Sequence, residues 1–448
     1  MKNSKALVLF LCMLCSINLT AQSPQFSKEE IFSDLEYLKK ELELNHPNLY
    51  TYSSKEIISK WFKSQISNVS DSTSEKDAFK LITSFSSLLK DGHSYIYPSS
   101  KHLDDFFSSS LLFPFDVFLM DDKLIVIRDF STEQSISLGA TLVEINGVKV
   151  EDIQTEIVQH TGRDGNNEEY PKHLYYKFFP AYYSYFYGFQ DRYNITYQDK
   201  FGILKSVNIN GLTRNEIKTK RDPKQEHGIG LQIIPNHKSA IISIKSFDKN
   251  ILKNDYNQIF KNEIKKIFRI IEEQNIQHIA IDLRDNQGGA LSNGVFLLQH
   301  FMNSPFQCVN SYYILENGTR KQLTTKWDKF FDPNKKHHFN GDVYLFINGG
   351  SYSCSAIVSN TFKESKRGIV MGEMTGGSAF VNSGAPNQLI TLPNTKILFT
   401  IPRTQYILRD SLTTIGLGVI PDIEIKDKPS RIITETDIYI DKFIELIK

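Results

Sequence analysis

The chain has 448 residues, more than one ordinary core holds, so two or three domains are expected. Hydrophobic residues make up 40% and charged residues 23%, the balance of a soluble globular protein. A formal net charge of +1 with no long basic block offers nothing to nucleic acid or to an anionic membrane surface.

The first residues read as an export signal and not as fold. Lys2 and Lys5 precede an apolar run over residues 6–19, and Thr20-Ala21 before Gln22 supplies a small-residue cleavage site. The run is short for a membrane span, so no stable span is expected after cleavage. The expected location is periplasmic in a Gram-negative source and secreted otherwise. Cleavage removes Cys12 and Cys15, leaving Cys308 and Cys354, too few for a disulfide-built scaffold.

Residues 22–100 have helical character. Ser27 followed by Glu30 has the form of a capping box, and Ile31, Leu35, Leu38 and Leu42 recur at helical spacing up to about Leu44. Further helical stretches cover 54–68 and 74–89. Asp91-Gly92-His93-Ser94 follows, a turn leading into a strand that lets an imidazole sit at a strand edge facing a cleft. Residues 101–213 are rich in short strands, at 113–120, 123–127, 141–145, 192–197 and 204–209. Ile145-Asn146-Gly147 ends a strand in an Asn-Gly turn, and with the preceding residues 138–144 it resembles the strand and turn of PDZ domains. Inside this segment, residues 170–193 are dense in Tyr and Phe, either core helix or the wall of an apolar groove. Residues 214–229 are polar and charged and read as a linker.

From residue 230 to 448, strands and helices alternate, which predicts an α/β core with a mainly parallel sheet. Strands are expected at 240–244, 279–283, 343–348 and 368–373. Tyr256, Ile259, Phe260, Ile264, Ile267, Phe268 and Ile271 mark one helix face, and helices are also expected at 291–302, 353–367 and 436–448. Residues 388–392 and 396–401 read as a hairpin. Strand 343–348 enters a Gly349-Gly350 turn and then Ser351, Ser353 and Ser355 at a helix start. Serines there either cap the helix or present a hydroxyl where the free N–H groups and the helix dipole favour an oxyanion. Strand 279–283 likewise enters Asp285-Asn286-Gln287-Gly288-Gly289, with bare backbone N–H groups at the carboxyl end of the sheet. The two turns side by side would join a nucleophile to an oxyanion donor.

These residues carry a family resemblance. Asp282-Leu283-Arg284-Asp285-Asn286-Gln287-Gly288-Gly289 resembles the DLRxNxGG segment of the C-terminal-processing peptidases, tail-specific serine proteases related to the tricorn core. Residues 350–355 are similar to that family's GTxSxS turn, 372–377 to its GExTxG, and 418–422 to its GVxPD. Asp91-Gly92-His93-Ser94 resembles the DGHT of the tricorn-like branch. The resemblance implies Ser353 as nucleophile, His93 as general base, and the N–H of Gly288 or Gly289 together with that of Cys354 as oxyanion donors. It implies no cofactor and no metal, and a peptide or protein substrate held by its C-terminus at the PDZ-like region.

The sequence also departs from the family pattern. The tail-specific lysine position is Ser378, which favours the histidine branch. The position of the tricorn-branch glutamate is Ile415, so the acidic partner of His93 is unassigned among Asp91, Glu373 and Asp410. Ala356 stands where a glutamate often follows the SxS pattern. The leading expectation is an exported serine endopeptidase working through an acyl-enzyme on Ser353. Its rivals are an inactive scaffold that binds peptides or apolar ligands, and a hydrolase of non-peptide esters or amides.

Overall fold

A computed structural model describes residues 24–221, 227–316, 318–408 and 416–448; the expected signal segment, Asp410 and Ile415 lie outside the described residues. At the centre is a six-stranded sheet. An antiparallel edge strand, Ile229–Ile234, pairs with Ser239–Ile244, and His278–Asp282, Asp342–Ile347, Ile369–Gly372 and Ile423–Glu424 follow in parallel. Its strands are apolar runs because both faces are covered. Ile279, Ile281, Val343, Leu345 and Ile347 point into one cluster with the helix Phe260–Glu273. Ala280, Tyr344, Phe346 and Met371 point into another, closed by Tyr439 and Phe443 of the C-terminal helix Ile438–Leu446.

Two departures from the sequence reading have local causes. The expected continuous helix around Tyr256 is broken into Lys249–Tyr256 and Phe260–Glu273, because Asn257 takes a left-handed conformation (φ 52°). Part of the stretch read as a linker is the helix Arg214–Lys220, nucleated by a capping box in which Thr213 and Glu216 each hold the other's backbone N–H. The aromatic stretch forms two short helices, Glu169–Lys177 and Phe179–Tyr187, whose Tyr175, Phe179, Tyr183 and Phe186 are core.

An antiparallel sheet of Leu204–Asn210, Arg192–Gln198, Thr141–Ile145, Lys123–Asp129 and Phe115–Met120 occupies the strand-rich region. It does not have a core of its own. One apolar cluster runs from the N-terminal helices (Ile31, Leu38, Phe85) through this sheet (Phe115, Val126, Ile195) to Ile390, Leu392, Phe399 and Ile401. Those last residues belong to a hairpin, Val381–Thr391 and Leu398–Ile407, longer than the apolar pattern predicts because its buried face carries polar Asn382, Ser383, Thr404 and Gln405. Among the described residues no helix is long and apolar enough to cross a membrane.

The hairpin fastens the two ends of the chain together. Ile96–Tyr97 pairs with Leu398 and Phe399, and Thr400 donates its N–H to the Tyr95 carbonyl at 2.8 Å. At the hairpin tip the buried carboxylate of Asp34, on the helix Lys28–Asn45, accepts from the Asn394 N–H (2.8 Å), the Thr395 N–H (2.8 Å) and the Thr395 hydroxyl (2.6 Å). Removing one partner of such a buried set leaves donors without water or acceptor. Asp34→Ala is therefore expected to destabilise the chain by ~3 kcal/mol, read as a lowered urea midpoint, whereas an exposed control such as Glu36→Ala leaves the midpoint in place.

Candidate active site

Ser353 lies between the strand Asp342–Ile347 and the helix Cys354–Glu364, in the N-cap position, with φ 53° and ψ −119°. That backbone is costly for a non-glycine residue, on the order of 1–3 kcal/mol. Its side chain makes no capping hydrogen bond, so the capping role open to it in sequence is not the one it takes. The hydroxyl instead lies 3.1 Å from Nε2 of His93.

The turn is held from several sides. Ser351 donates its hydroxyl to the Leu283 carbonyl at 2.8 Å, and Tyr352 donates its N–H to the Asn286 carbonyl at 3.1 Å. Asn348 and Asp285 bond reciprocally: the Asp285 N–H reaches the Asn348 side-chain oxygen at 2.9 Å, and the Asn348 amide donates to the Asp285 carboxylate at 2.8 Å. These bonds clamp the two strand-end turns side by side. Arg284 serves the scaffold, with its guanidinium on Asp282 and on Asp437, the cap of the C-terminal helix.

His93 is placed by its own loop. Asp91 accepts the His93 N–H at 2.9 Å and the Ser94 hydroxyl at 3.2 Å, and Thr400 donates its hydroxyl to the His93 carbonyl at 3.0 Å. Burial lowers the imidazole to about 4, with the Asp91 charge working in the opposite direction. The ring is therefore neutral near pH 7 and able to accept a proton. The other ring nitrogen, Nδ1, lies 2.8 Å from the hydroxyl of Tyr352.

Neither of the two described acidic candidates, Asp91 and Glu373, bonds the ring. Asp91 binds the loop backbone, Ser94 and Ser383. Glu373 faces Glu169, Asp427 and Asp285, and burial followed by the Glu169 charge pushes it up to about 8. It helps line a cavity of about 670 Å³ with Glu169, His173, Tyr176 and Asp427, and that lining includes neither His93 nor Ser353. Asp410 lies outside the described residues. Tyr352 and, behind it, Asp164 are the residues that sequence reasoning missed.

The glycine turn packs directly on the serine. Gly288 has φ 95°, and a Cβ there would lie 2.8 Å from both the Ser353 Cβ and the Cys354 nitrogen. Its N–H is already given to the Asn286 side-chain oxygen at 2.8 Å, which corrects its candidacy as an oxyanion donor. Among the described residues, the Gly289 and Cys354 N–H groups have no such partner. The Cys354 thiol points away, toward the Ala290 carbonyl (3.7 Å), and burial pushes its pKa up, so it offers no thiolate. Ser378, in the tail-specific lysine position, is fully buried; its hydroxyl accepts the N–H groups of Phe380 and Val381.

Comparison with known proteins bears on the family and the fold. The model of peptidase family S41 matches residues 238–425. A probable CtpA-like serine protease of Staphylococcus saprophyticus is 25% identical over 207 residues, covering 45% of this chain and 39% of the relative. A carboxyl-terminal-processing protease of Synechocystis is 22% identical over 149 residues, covering 33% of this chain and 30% of the relative. The chain thus spans about two fifths or less of the length of these relatives. In fold, the structure of mature CPAF superposes with a TM-score of 0.68 at 13% identity, covering 94% of this chain and 97% of CPAF. Residues 238–425, which hold the parallel sheet, the Gly288-Gly289 turn and Ser353, match the model of peptidase family S41, and the relatives named above are serine and carboxyl-terminal-processing proteases.

Proposed function

We propose that the chain is a serine endopeptidase in which Ser353 is the nucleophile and His93 the general base. The observation that carries this reading is the 3.1 Å contact between Oγ of Ser353 and Nε2 of His93, made across 260 residues of sequence by a serine that declines its capping bond. A serine hydroxyl is a weak nucleophile near neutral pH and needs such a base within hydrogen-bond reach. As Oγ attacks the substrate carbonyl, its proton passes to Nε2. The carbonyl oxygen becomes an oxyanion facing the Gly289 and Cys354 N–H groups at the positive end of the helix Cys354–Glu364. The imidazolium then gives the proton to the leaving amine, and water, activated by the same nitrogen, releases the acyl group from Ser353.

Export is part of the proposal, supported by the sequence pattern of Lys2 and Lys5 before the apolar run over residues 6–19, and it would put this chemistry outside the cytoplasm. The substrate is a protein or peptide, and the strand-rich region around Asn146-Gly147 is proposed to hold its C-terminal end by strand addition. Support for this comes from the names of the relatives, which are C-terminal-processing and tail-specific proteases. The inactive-scaffold reading has no observation in its favour at Ser353 or His93.

A fluorophosphonate probe tests the reading directly. Wild-type protein is expected to label on one serine, Ser353→Ala not at all, and His93→Ala about 10²–10⁴ times more slowly; an unlabelled wild type would overturn the proposal. The acid limb of kcat/KM is a second test. His93 must be neutral to accept the Ser353 proton, and its pKa sits at about 4. Activity should therefore persist below pH 6 and fall as the pH drops toward 4, instead of failing at the ordinary histidine value of about 6.5. Protonation of Asp164, pushed up to about 7 by burial and the Asp91 charge, leaves an oxygen that still accepts hydrogen bonds, so it trims the rate without ending it.

A further inference from the structure

A histidine that works as a base needs its second nitrogen held by an acceptor, both to fix the tautomer and to favour the imidazolium that forms during the reaction. The usual acceptor is a carboxylate. Here no carboxylate among the described residues bonds to Nδ1 of His93; the group that does is the hydroxyl of Tyr352, the residue immediately before Ser353.

Tyr352 is built to hold that position. It is fully buried, and its ring stacks on Tyr170 with centroids 3.7 Å apart and planes 5° from parallel. Tyr170 is fixed in turn by a hydroxyl contact of 3.0 Å with Tyr95, two residues beyond His93. Behind the Tyr352 hydroxyl lies the buried carboxylate of Asp164, which interacts with it. Asp164 is anchored by the Gly92 N–H at 2.9 Å on one oxygen and the Ser378 N–H at 3.0 Å on the other. Gly92 makes room for the pair: a Cβ there would lie 2.3 Å from the Tyr352 hydroxyl and 3.0 Å from the Asp164 carboxylate.

We propose that Tyr352 and Asp164 together hold Nδ1 of His93 where a carboxylate usually does: the Tyr352 hydroxyl accepts from Nδ1–H of His93 and donates its own proton to the carboxylate of Asp164. Tyr352 and Asp164 are positioning residues, since neither touches the reacting atoms. This rests on the reading of Ser353 and His93 given above. The chain Nε2, Nδ1–H, Tyr352 hydroxyl, Asp164 carboxylate leaves the free lone pair of the imidazole on the side of Ser353. When Nε2 takes the serine proton, the positive ring faces a polarised hydroxyl backed by a carboxylate, so charge develops against groups already oriented. No proton leaves Tyr352. Ser378 takes part through its backbone, which explains how the chain manages without the tail-specific lysine: its position supplies an N–H to Asp164 instead of a second base.

Two variants and two readouts test this. In ¹⁵N-histidine-labelled protein, the His93 resonances of the wild type should report the Nδ1–H tautomer. Tyr352→Phe, which keeps the ring and its stacking, should shift His93 toward the other tautomer. It should also slow fluorophosphonate labelling of Ser353 by about 10²-fold, lowering kcat with KM nearly unchanged. Asp164→Asn should slow labelling about 10-fold in the same pattern, and it decides the matter alone if Tyr352→Phe does not fold. Variants that fold, keep the wild-type tautomer and label at the wild-type rate would overturn the proposal while leaving Ser353 and His93 in their roles. A wild type in which Ser353 does not label overturns both.

Discussion

The site exists because a strand pairing far from it in sequence holds two ends of the molecule together. His93 and Ser353 meet only because Ile96–Tyr97 lies along Leu398 and Phe399, with Thr400 bonding the backbone on both sides of Ser94. The serine is fixed by the parallel sheet and the reciprocal Asn348–Asp285 bonds; the histidine is fixed by the hairpin. A displacement of about an ångström between these two bodies would break a hydrogen bond of 3.1 Å. The buried Asp34 at the hairpin tip and the continuous apolar cluster from the N-terminal helices through Phe399 keep the two bodies in register.

The motif residues divide into those that touch the site and those that build it. Arg284, Asn286 and Thr375 are buried and Asp422 is exposed, yet all four spend polar atoms on the scaffold. Asn286 bonds the Ile244 carbonyl and the Gly288 N–H; Thr375 bonds the Val419 N–H and the Gly377 carbonyl; Asp422 takes the Val370 N–H. Their role is to bring two glycine-rich turns and one strained serine to the same edge of a sheet. Polar groups buried this deeply are tolerated because each is paired.

What was legible in sequence was what is local. The apolar strands, the capping box at Ser27 and the glycine turns around 288 and 350 follow from residue type and near spacing, and they are where the chain was expected to fold as it does. The breaks at Asn257 and the helix at Arg214–Lys220 were missed although their signals are local too, because the apolar periodicity and the charge density of those stretches outweighed them. The hairpin was underestimated because its inward face uses Asn382, Ser383, Thr404 and Gln405, polar side chains whose partners, among them the Gly384 carbonyl for Thr404 and the Asn48 side chain for Gln405, are met only once folded. The partner of His93 was illegible for a different reason. Tyr352 occupies a variable position inside a motif, and Asp164 sits in a Gly-Arg-Asp-Gly stretch that reads as solvent loop; their meeting is tertiary.

The dependence of His93 on residues 398–400 also orders events during synthesis. A chain emerging from its N-terminus exposes the histidine early and the serine late, and the strand that seats the histidine later still. Segments fold as they emerge, but this pairing cannot form until its second strand exists. A nascent polypeptide therefore has no Ser353–His93 contact while most of its length is unfolded.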